Sequence, residues 1–307
     1  MAEHGVAPLS GDAERVATFE QYRGLLFSIA YRMLGTVADA EDMLQETFLR
    51  WLQAADEEVR SPRALLVTII SRLCINQLRS ARAKREEYVG EWLPEPLVTD
   101  QASDPAGLVR VDETLSMAFL VLLERLTPIE RAVFLLREVF EYEYSEVGDV
   151  LGQSEVNCRQ ILHRARQHIG ALRPRFEGSR EKHRHLLETF LQAARTGNTE
   201  ALLAVLSEDV VLYGDGGGKA FGPPAPIHGA ANVVKGVEVF RKLVEQGLQP
   251  TITEINGEPG VVTYMNGKPR SVMTIRHHND RIHTVYLVSN PEKLAHLPTA
   301  PKKKEPA

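Results

Sequence analysis

Cysteine is nearly missing: Cys74 and Cys158 are the two in 307 residues. They show no metal-ligand spacing, so a disulfide framework and a cysteine-based metal centre are both excluded. Buried thiols in helices are expected, with no metal and no cofactor. An apolar run of transmembrane length is also lacking. The N-terminus carries no signal-peptide pattern, so a cytoplasmic protein with no membrane association is expected. A basic excess is absent too, since the net charge is −5. That total hides segregation. Acidic residues vanish between Ala64 and Arg85, where Arg72, Arg79, Arg82, Lys84 and Arg85 all fall. From Arg159 to Arg184 the acids are Glu177 and Glu181 alone, again outnumbered by bases. Phosphate responds to such local fields and not to the chain total.

What is present points to nucleic acid. From Leu126-Thr127-Pro128 to about Leu172 the pattern is a helix–turn–helix. Gly152-Gln153 forms the turn and Ser154 can cap the helix that follows. Cys158, Leu162, Ala165 and Ile169 recur at helical spacing as an apolar stripe. Glu155, Arg159, His163 and Arg166 fall on the other side, giving a polar, largely basic face suited to the major groove.

The length allows two or three small domains, and 43% apolar content is ordinary for globular cores. Residues 1–13 read as a loose tail. The pattern from Glu14 to Tyr88 is helical, broken at Gly35-Thr36 and over Ala54–Pro62. Glu91–Pro105 is a linker with Pro94, Pro96 and Pro105, and Leu108 to about Phe176 is helical again. Beyond Glu177 the architecture changes. Helical stretches at His183–Thr196 and Thr199–Leu206 precede a strand at Asp209–Tyr213 and a helix near Ala231–Gln246. Strand-like runs follow at Thr251–Ile255, Val261–Met265, Ser271–His277 and Arg281–Ser289. Asn256-Gly257, Asn266-Gly267 and Asn279-Asp280 separate them, as tight hairpin turns require. This is an α+β pattern in which a curved sheet wraps a helix.

Within the first helical region, DAEDMLQETFLRW (39–51) puts Ala40, Leu44, Phe48 and Trp51 or Leu52 on a buried stripe. Asp42, Gln45, Glu46 and Leu49 form an outward stripe. An acidic stripe around an exposed leucine fits either a solvated face or docking onto a basic partner. PRALLVTIISRLCINQLRS (62–80) follows, with Arg72, Asn76 and Arg79 sharing a face. Asn can pair with adenine edges, and Arg can contact guanine or phosphate.

These two segments, with LTPIERAVFLLREVFEYEYSEVGDVLGQSEVNCRQILHRARQHI (126–169), resemble the two conserved domains of extracytoplasmic-function sigma factors in order and spacing. WLPEP (92–96), DGGGK (215–219) and NPEKL (290–294) resemble the subgroup that carries a C-terminal SnoaL-like (NTF2-like) domain. The resemblance implies two all-α domains, the second with the helix–turn–helix, followed by an α+β cone. It divides the chain into a region 2 domain (14–88), a linker (89–107), a region 4 domain (108–176), a SnoaL-like regulatory domain (177–297) and a disordered tail (298–307). Asp42, Gln45, Glu46 and Leu49 would dock on the β′ clamp helices of core RNA polymerase. Arg72, Asn76 and Arg79 would contact the −10 element of promoter DNA, and the 53–61 loop would hold a flipped base. Glu155, Asn157, Arg159, Gln160 and His163 would read the −35 element. Ile161 departs from the family pattern: it stands where such helices often carry a basic or small polar residue, so a DNA contact there would be apolar. Trp92, Leu93, Asp215, Lys219, Asn290 and Leu294 would make regulatory contacts, with Asp215 and Lys219 in an exposed loop. The fused domain would regulate in place of a separate anti-sigma protein.

SnoaL-like relatives include enzymes, so Asp209, Asp215, His228, His277, His278 and His283 are acid–base candidates. A two-residue turn at Asn279-Asp280 places His278 opposite Arg281 and His283 opposite Arg276, both beside arginines, which disfavours a metal cluster. His277 points to the other face. The reading is therefore a non-catalytic promoter-recognition factor. The alternative is a DNA-binding regulator whose last domain is an active enzyme or a small-molecule sensor with a ligand in its pocket. A repressor on duplex DNA fits the helix–turn–helix but not the acidic helix.

Overall fold

The computed structural model describes residues 9–54, 61–86, 88–99, 115–170, 179–220 and 222–300. Most of the 53–61 loop, the boundary near 176 and the tail after Ala300 lie outside the described residues. The described residues form two compact units.

The first unit is helical. α1 (Leu9–Leu34), α2 (Val37–Gln53) and α3 (Pro62–Glu86) come first. α1 begins at Leu9, inside the stretch expected as a loose tail. The α2 stripe buries Ala40, Leu44 and Trp51, and Thr47 joins it. Phe48 is half-buried, its ring 4.8 Å from that of Phe19. The next helix, α4 (Met117–Leu123), belongs to the second unit up to Val121. α5 (Pro128–Phe134), a π turn (Leu135–Val139), α6 (Tyr144–Leu151) and α7 (Glu155–Ile169) complete the first. Thr127 and Glu130 close a reciprocal capping box at the start of α5. Gly152 ends α6 at φ 66°, the left-handed conformation that turns the chain into α7. Buried Arg131 donates to the Met33 carbonyl at 2.7 Å and pairs with Glu124 at 2.8 Å, tying α5 to the end of α1.

Ile161 does not face outward. It is 3% exposed and packs in the core beside Leu162. The α7 stripe is wider than the one-sided pattern expected, because α7 is embraced by both α5 and α6 and buries Cys158, Ile161, Leu162, Ala165 and Ile169.

The second unit is α+β. α8 (Arg180–Thr196) and α9 (Thr199–Val205) lead into β1 (Leu206–Asp215), β2 (Ile227–His228) and α10 (Ala230–Glu245). β3 (Gln249–Ile255), β4 (Glu258–Met265), β5 (Lys268–His278) and β6 (Arg281–Val288) then form a meander. The six-stranded sheet has the order β2-β1-β6-β5-β4-β3, with β1 parallel to β6. Asn256, Asn266, Asn279 and Asp280 all take positive φ at the hairpin turns, as expected of primed turns.

Both faces of the sheet are covered. On one face Val261, Ile275, Ile282 and Val285 pack with α8 and α10. On the other, Val262, Tyr264, Val272, Tyr286 and Val288 pack with Leu93, Val98, Met117, Leu294 and Leu297. Adjacent residues such as Val261 and Val262 thus serve opposite cores, as strand alternation requires. Linker residues cap the edge strand β3. The Thr99 amide donates to the Glu254 carbonyl at 2.9 Å, and the Asn256 amide donates to the Leu97 carbonyl at 2.7 Å. Covering an edge in this way satisfies backbone groups that would otherwise template pairing with another chain.

The β5–β6 register departs from the sequence expectation. Arg276 pairs with Thr284 and His277 with Ile282, so His283 is the extra residue of a bulge and does not stand opposite Arg276. A bulge shifts every later pair and reorients the extra side chain. His283 instead lies 3.3 Å from Asp209. His277 meets His183 of α8 edge-on at 5.2 Å, and His183 bonds to the Pro259 carbonyl at 3.0 Å.

Burial, with the neighbouring His277, lowers the His183 pKa from 6.5 to about 4. A depressed histidine pKa means that the unfolded chain binds more protons between these values, so stability is full above about 6.5 and is lost as pH falls towards 4. Urea unfolding is expected to show a loss of the order of 3 kcal/mol across that window. A His183→Gln variant is expected to lose most of the slope; an unchanged slope would mean that this ring is solvated.

Candidate functional site

α7 presents an exposed face of Glu155, Arg159, Gln160 and His163. Ser154 accepts the Asn157 amide at 3.2 Å and fixes where the helix starts. Glu155 and Arg159 pair at 2.9 Å, one turn apart, and the Arg159 guanidinium lies 4.7 Å from the Tyr144 ring centre. Such a contact attracts the cation to the ring face and links Arg159 to the start of α6. Asn157 is half-buried and donates to Gln153 at 2.5 Å, so it braces the turn. Val156, which the sequence pattern did not single out, is 63% exposed on the first turn of α7. A solvent-facing valine beside Glu155 has a signal only in three dimensions, since in one dimension it reads as a core residue.

Arg72, Asn76 and Arg79 are all exposed along α3, at successive turns. Arg72 is engaged within the unit: its Nε donates to the Val150 carbonyl at 3.0 Å, at the end of α6. A cation at a helix C-terminus meets unpaired carbonyls and the negative end of the dipole. On α2, Asp42, Gln45 and Leu49 are exposed and Glu46 is half-exposed, pairing with Arg50 at 2.7 Å. Leu49 is 53% exposed, an apolar side chain left in solvent amid acids.

The densest polar cluster of the second unit is built on Asp215. This carboxylate was expected in an exposed loop. It is instead 0% exposed at the last position of β1. The Tyr88 hydroxyl donates to Oδ1 at 2.6 Å, and the Leu93 amide donates to Oδ2 at 2.9 Å. Lys293 Nζ donates to Oδ2 at 2.6 Å and also to the Leu93 carbonyl. The same ammonium lies 4.1 Å from the Trp92 ring centre and 5.1 Å from that of Tyr88. Burial, then the Asp215 carboxylate, raises the Tyr88 pKa, so the phenol stays protonated and donates. Asn290 completes the frame: its side chain donates to the Tyr88 hydroxyl at 2.8 Å, and its backbone amide donates to the Asp215 carbonyl at 3.0 Å.

Three segments far apart in sequence therefore meet around one carboxylate. Leu93 is 1% exposed, Trp92 is half-buried and Leu294 is buried. Lys219 stays on the surface and pairs with Glu292. The glycines after Asp215 follow from the crowding. Gly217 has φ 58°, and a Cβ there would collide with the Asn290 amide. Tyr88 and Lys293 were missed by sequence reasoning. Lys293 lay within the 290–294 segment, but a lysine gives no sign of burial, and Tyr88 stood at the end of a charged helix.

The acid–base candidates do not converge on a cavity. Asp209 pairs with His283 at 3.3 Å at an exposed position, the His278 ring centre lies 6.1 Å from that of His283, and His228 is exposed on its own. None of the six candidates lines the apolar cavity between α8, α10 and the sheet. Among the described residues no group of three or more His, Cys, Asp or Glu could hold a metal, and no helix is long and apolar enough to cross a membrane.

Breaking the buried pair at one end leaves the other charge uncompensated, which typically costs about 3–5 kcal/mol. Lys293→Ala is expected to destabilise the second unit by that order, whereas Lys219→Ala, on an exposed pair, is expected to cost under about 1 kcal/mol. Denaturant melts of the two variants check the contrast; equal effects would mean that Asp215 is solvated.

Comparison with known proteins shows the family. The family model for Sigma-70 region 2 matches residues 18–84, and that for Sigma-70 region 4 matches residues 116–169. The chain is 36% identical to the ECF RNA polymerase sigma factor SigJ of Mycobacterium tuberculosis over 304 residues, covering 95% of this chain and 96% of that one. It is 29% identical to the probable ECF RNA polymerase sigma factor SigI of the same organism, covering 91% and 94%. The crystal structure of Mycobacterium tuberculosis SigJ superposes with a TM-score of 0.75 at 32% identity, covering 91% of this chain and 98% of that chain. The chain belongs to the extracytoplasmic-function (ECF) RNA polymerase sigma factors.

Proposed function

We propose that this sigma factor directs core RNA polymerase to its promoters and that its C-terminal domain regulates it in cis through the linker. The observation that carries the regulatory reading is the buried Asp215–Lys293 pair, which grips the Leu93 backbone from both sides. A linker held by a charge pair has a defined position, and releasing it changes what the flanking segments can reach. In this reading residues 14–88 and 108–176 are the region 2 and region 4 domains, 89–107 is the controlled linker, and 177–297 is the regulator. Trp92, Leu93, Asp215, Asn290 and Leu294 form the internal contact, with Lys219 on its outer edge. The domain acts without catalysis, in keeping with acid–base candidates that lie apart from its cavity.

Polymerase docking is assigned to Asp42, Gln45, Glu46 and Leu49, on the β′ clamp helices. Their exposure and acidity support it. The −10 element is assigned to Arg72, Asn76 and Arg79, and the −35 element to Glu155, Arg159, Gln160 and His163, with Asn157 acting through the turn. Arg72 must leave the Val150 carbonyl to reach a phosphate or base, so the compact first unit is a resting form that opens on the polymerase.

Transcription in vitro with core polymerase tests both halves. Removing both charges together, as Asp215→Asn with Lys293→Met, avoids an unpaired buried charge. The double variant is expected to change promoter output severalfold while core affinity stays level; unchanged output would rule out cis regulation through this pair. Asp42→Lys is expected to weaken core binding with the fold intact, because the side chain is exposed. Arg159→Ala is expected to cost about 1–3 kcal/mol in promoter binding and relax one base position if it reads a base edge. A phosphate contact would instead weaken all sequences alike and lower the salt slope by about one.

A further inference from the structure

The second unit encloses a cavity of ≈ 260 Å³ between α8, α10 and the concave face of the sheet. Its wall is apolar: Phe190, Leu191, Val237, Phe240, Met273 and Val285 contribute most of its character. Three polar residues reach it, Arg270, Ser271 and Ser289. Two of them are committed elsewhere. The Ser271 hydroxyl bonds to Thr263 at 2.7 Å, and the Ser289 hydroxyl donates to the Asp215 carbonyl at 3.3 Å. Arg270 is different. It has no hydrogen-bond or ion-pair partner among the described residues.

The position of Arg270 is built and not accidental. Thr263 pairs with Ser271 and Tyr264 with Pro269, so Arg270 is the extra residue of a bulge in β5. In a regular strand Arg270 and Ser271 would face opposite sides of the sheet. The bulge lets both reach the same cavity, which is how bulges commonly re-aim a side chain beside a site. The result is an apolar chamber edged by an exposed guanidinium with no partner among the described residues, and its planar fork of donors matches a carboxylate.

We propose that this cavity binds an amphipathic carboxylate: a medium-length apolar body within the chamber, with its anionic head on Arg270. The apolar body removes hydrocarbon from water, and the head gains a charge-assisted, bidentate pairing with Arg270 that orients it. The cavity also shares its wall with the Asp215 cluster. The Ser289 amide donates to the Asp215 carbonyl at 2.8 Å, and the Ala220 amide, from another lining residue, donates to the Gly216 carbonyl at 3.0 Å. A bound molecule therefore presses on the two segments that frame Asp215. Occupancy is read out through the linker, a consequence that rests on the cis-regulation reading above.

Isothermal calorimetry of the full-length chain with decanoate and decanol tests the site without polymerase or promoter. Decanoate is expected to bind saturably at one site and more tightly than decanol. Arg270→Gln, at an exposed position, is expected to weaken decanoate at least tenfold and leave decanol unchanged. Val239→Trp, at the exposed part of the wall, is expected to weaken both. No saturable binding of the C6 to C12 carboxylates, or binding indifferent to Arg270→Gln, overturns the site while leaving the sigma-factor reading untouched. Transcription by the holoenzyme is then compared with and without decanoate. A change that Arg270→Gln abolishes supports the link to the linker; Arg270-dependent binding with unchanged transcription overturns that link.

Discussion

A carboxylate buried to 0% exposure must be neutralised and fully hydrogen-bonded, and Asp215 imposes that demand on the whole second unit. Its partners are supplied by the segment before the linker, by the linker backbone and by the turn after the last strand. Tyr88, Leu93 and Lys293 are separated from Asp215 by 127, 122 and 78 positions. The Leu93 amide and carbonyl both face the pair, so the linker backbone is read independently of its side chains. This is why a short proline-bearing segment can hold one place without being a helix or a sheet strand.

The remainder of the second unit serves that demand. β1 runs parallel to β6, which brings Asp215 beside Ser289 and Asn290 and lets both backbone amides bond its carbonyl. Linker residues then continue along the sheet, capping the edge of β3 and burying Leu93 and Val98 against its outer face. Apolar burial supplies most of the favourable free energy there, while the charged cluster sets register and position. The inner face has a separate role, shaping an apolar cavity whose end residues also touch the frame of Asp215.

In the first unit exposure and engagement divide the candidate contacts. The α2 acids and the outer face of α7 are open, while Arg72 is held by the carbonyls that end α6. An arginine that satisfies helix-terminal carbonyls in one state can satisfy phosphates in another, because both are anionic or partly anionic acceptors. Arg72 is in the first of these states, with the Val150 carbonyl as its acceptor.

Much of this was legible in the sequence. The apolar stripes of α2 and α7, the Ser154 cap, the Gly152 turn and the three hairpin turns are set by interactions within a few residues, and such interactions leave periodic or local signatures. The α+β pattern of the second unit and the outward acids of α2 followed in the same way. What the tertiary structure alone decided is of longer range. Ile161 is buried in a helix that packs against both α5 and α6. His283 and Arg270 are turned by bulges that period-two alternation cannot foresee. Asp215, beside three glycines, reads locally as an exposed loop, yet the sheet register carries it into the interior. Tyr88 and Lys293 have no local mark at all, since their partners come from strands and turns far along the chain. Local chemistry fixes the elements; which distant charges meet depends on how those elements stack.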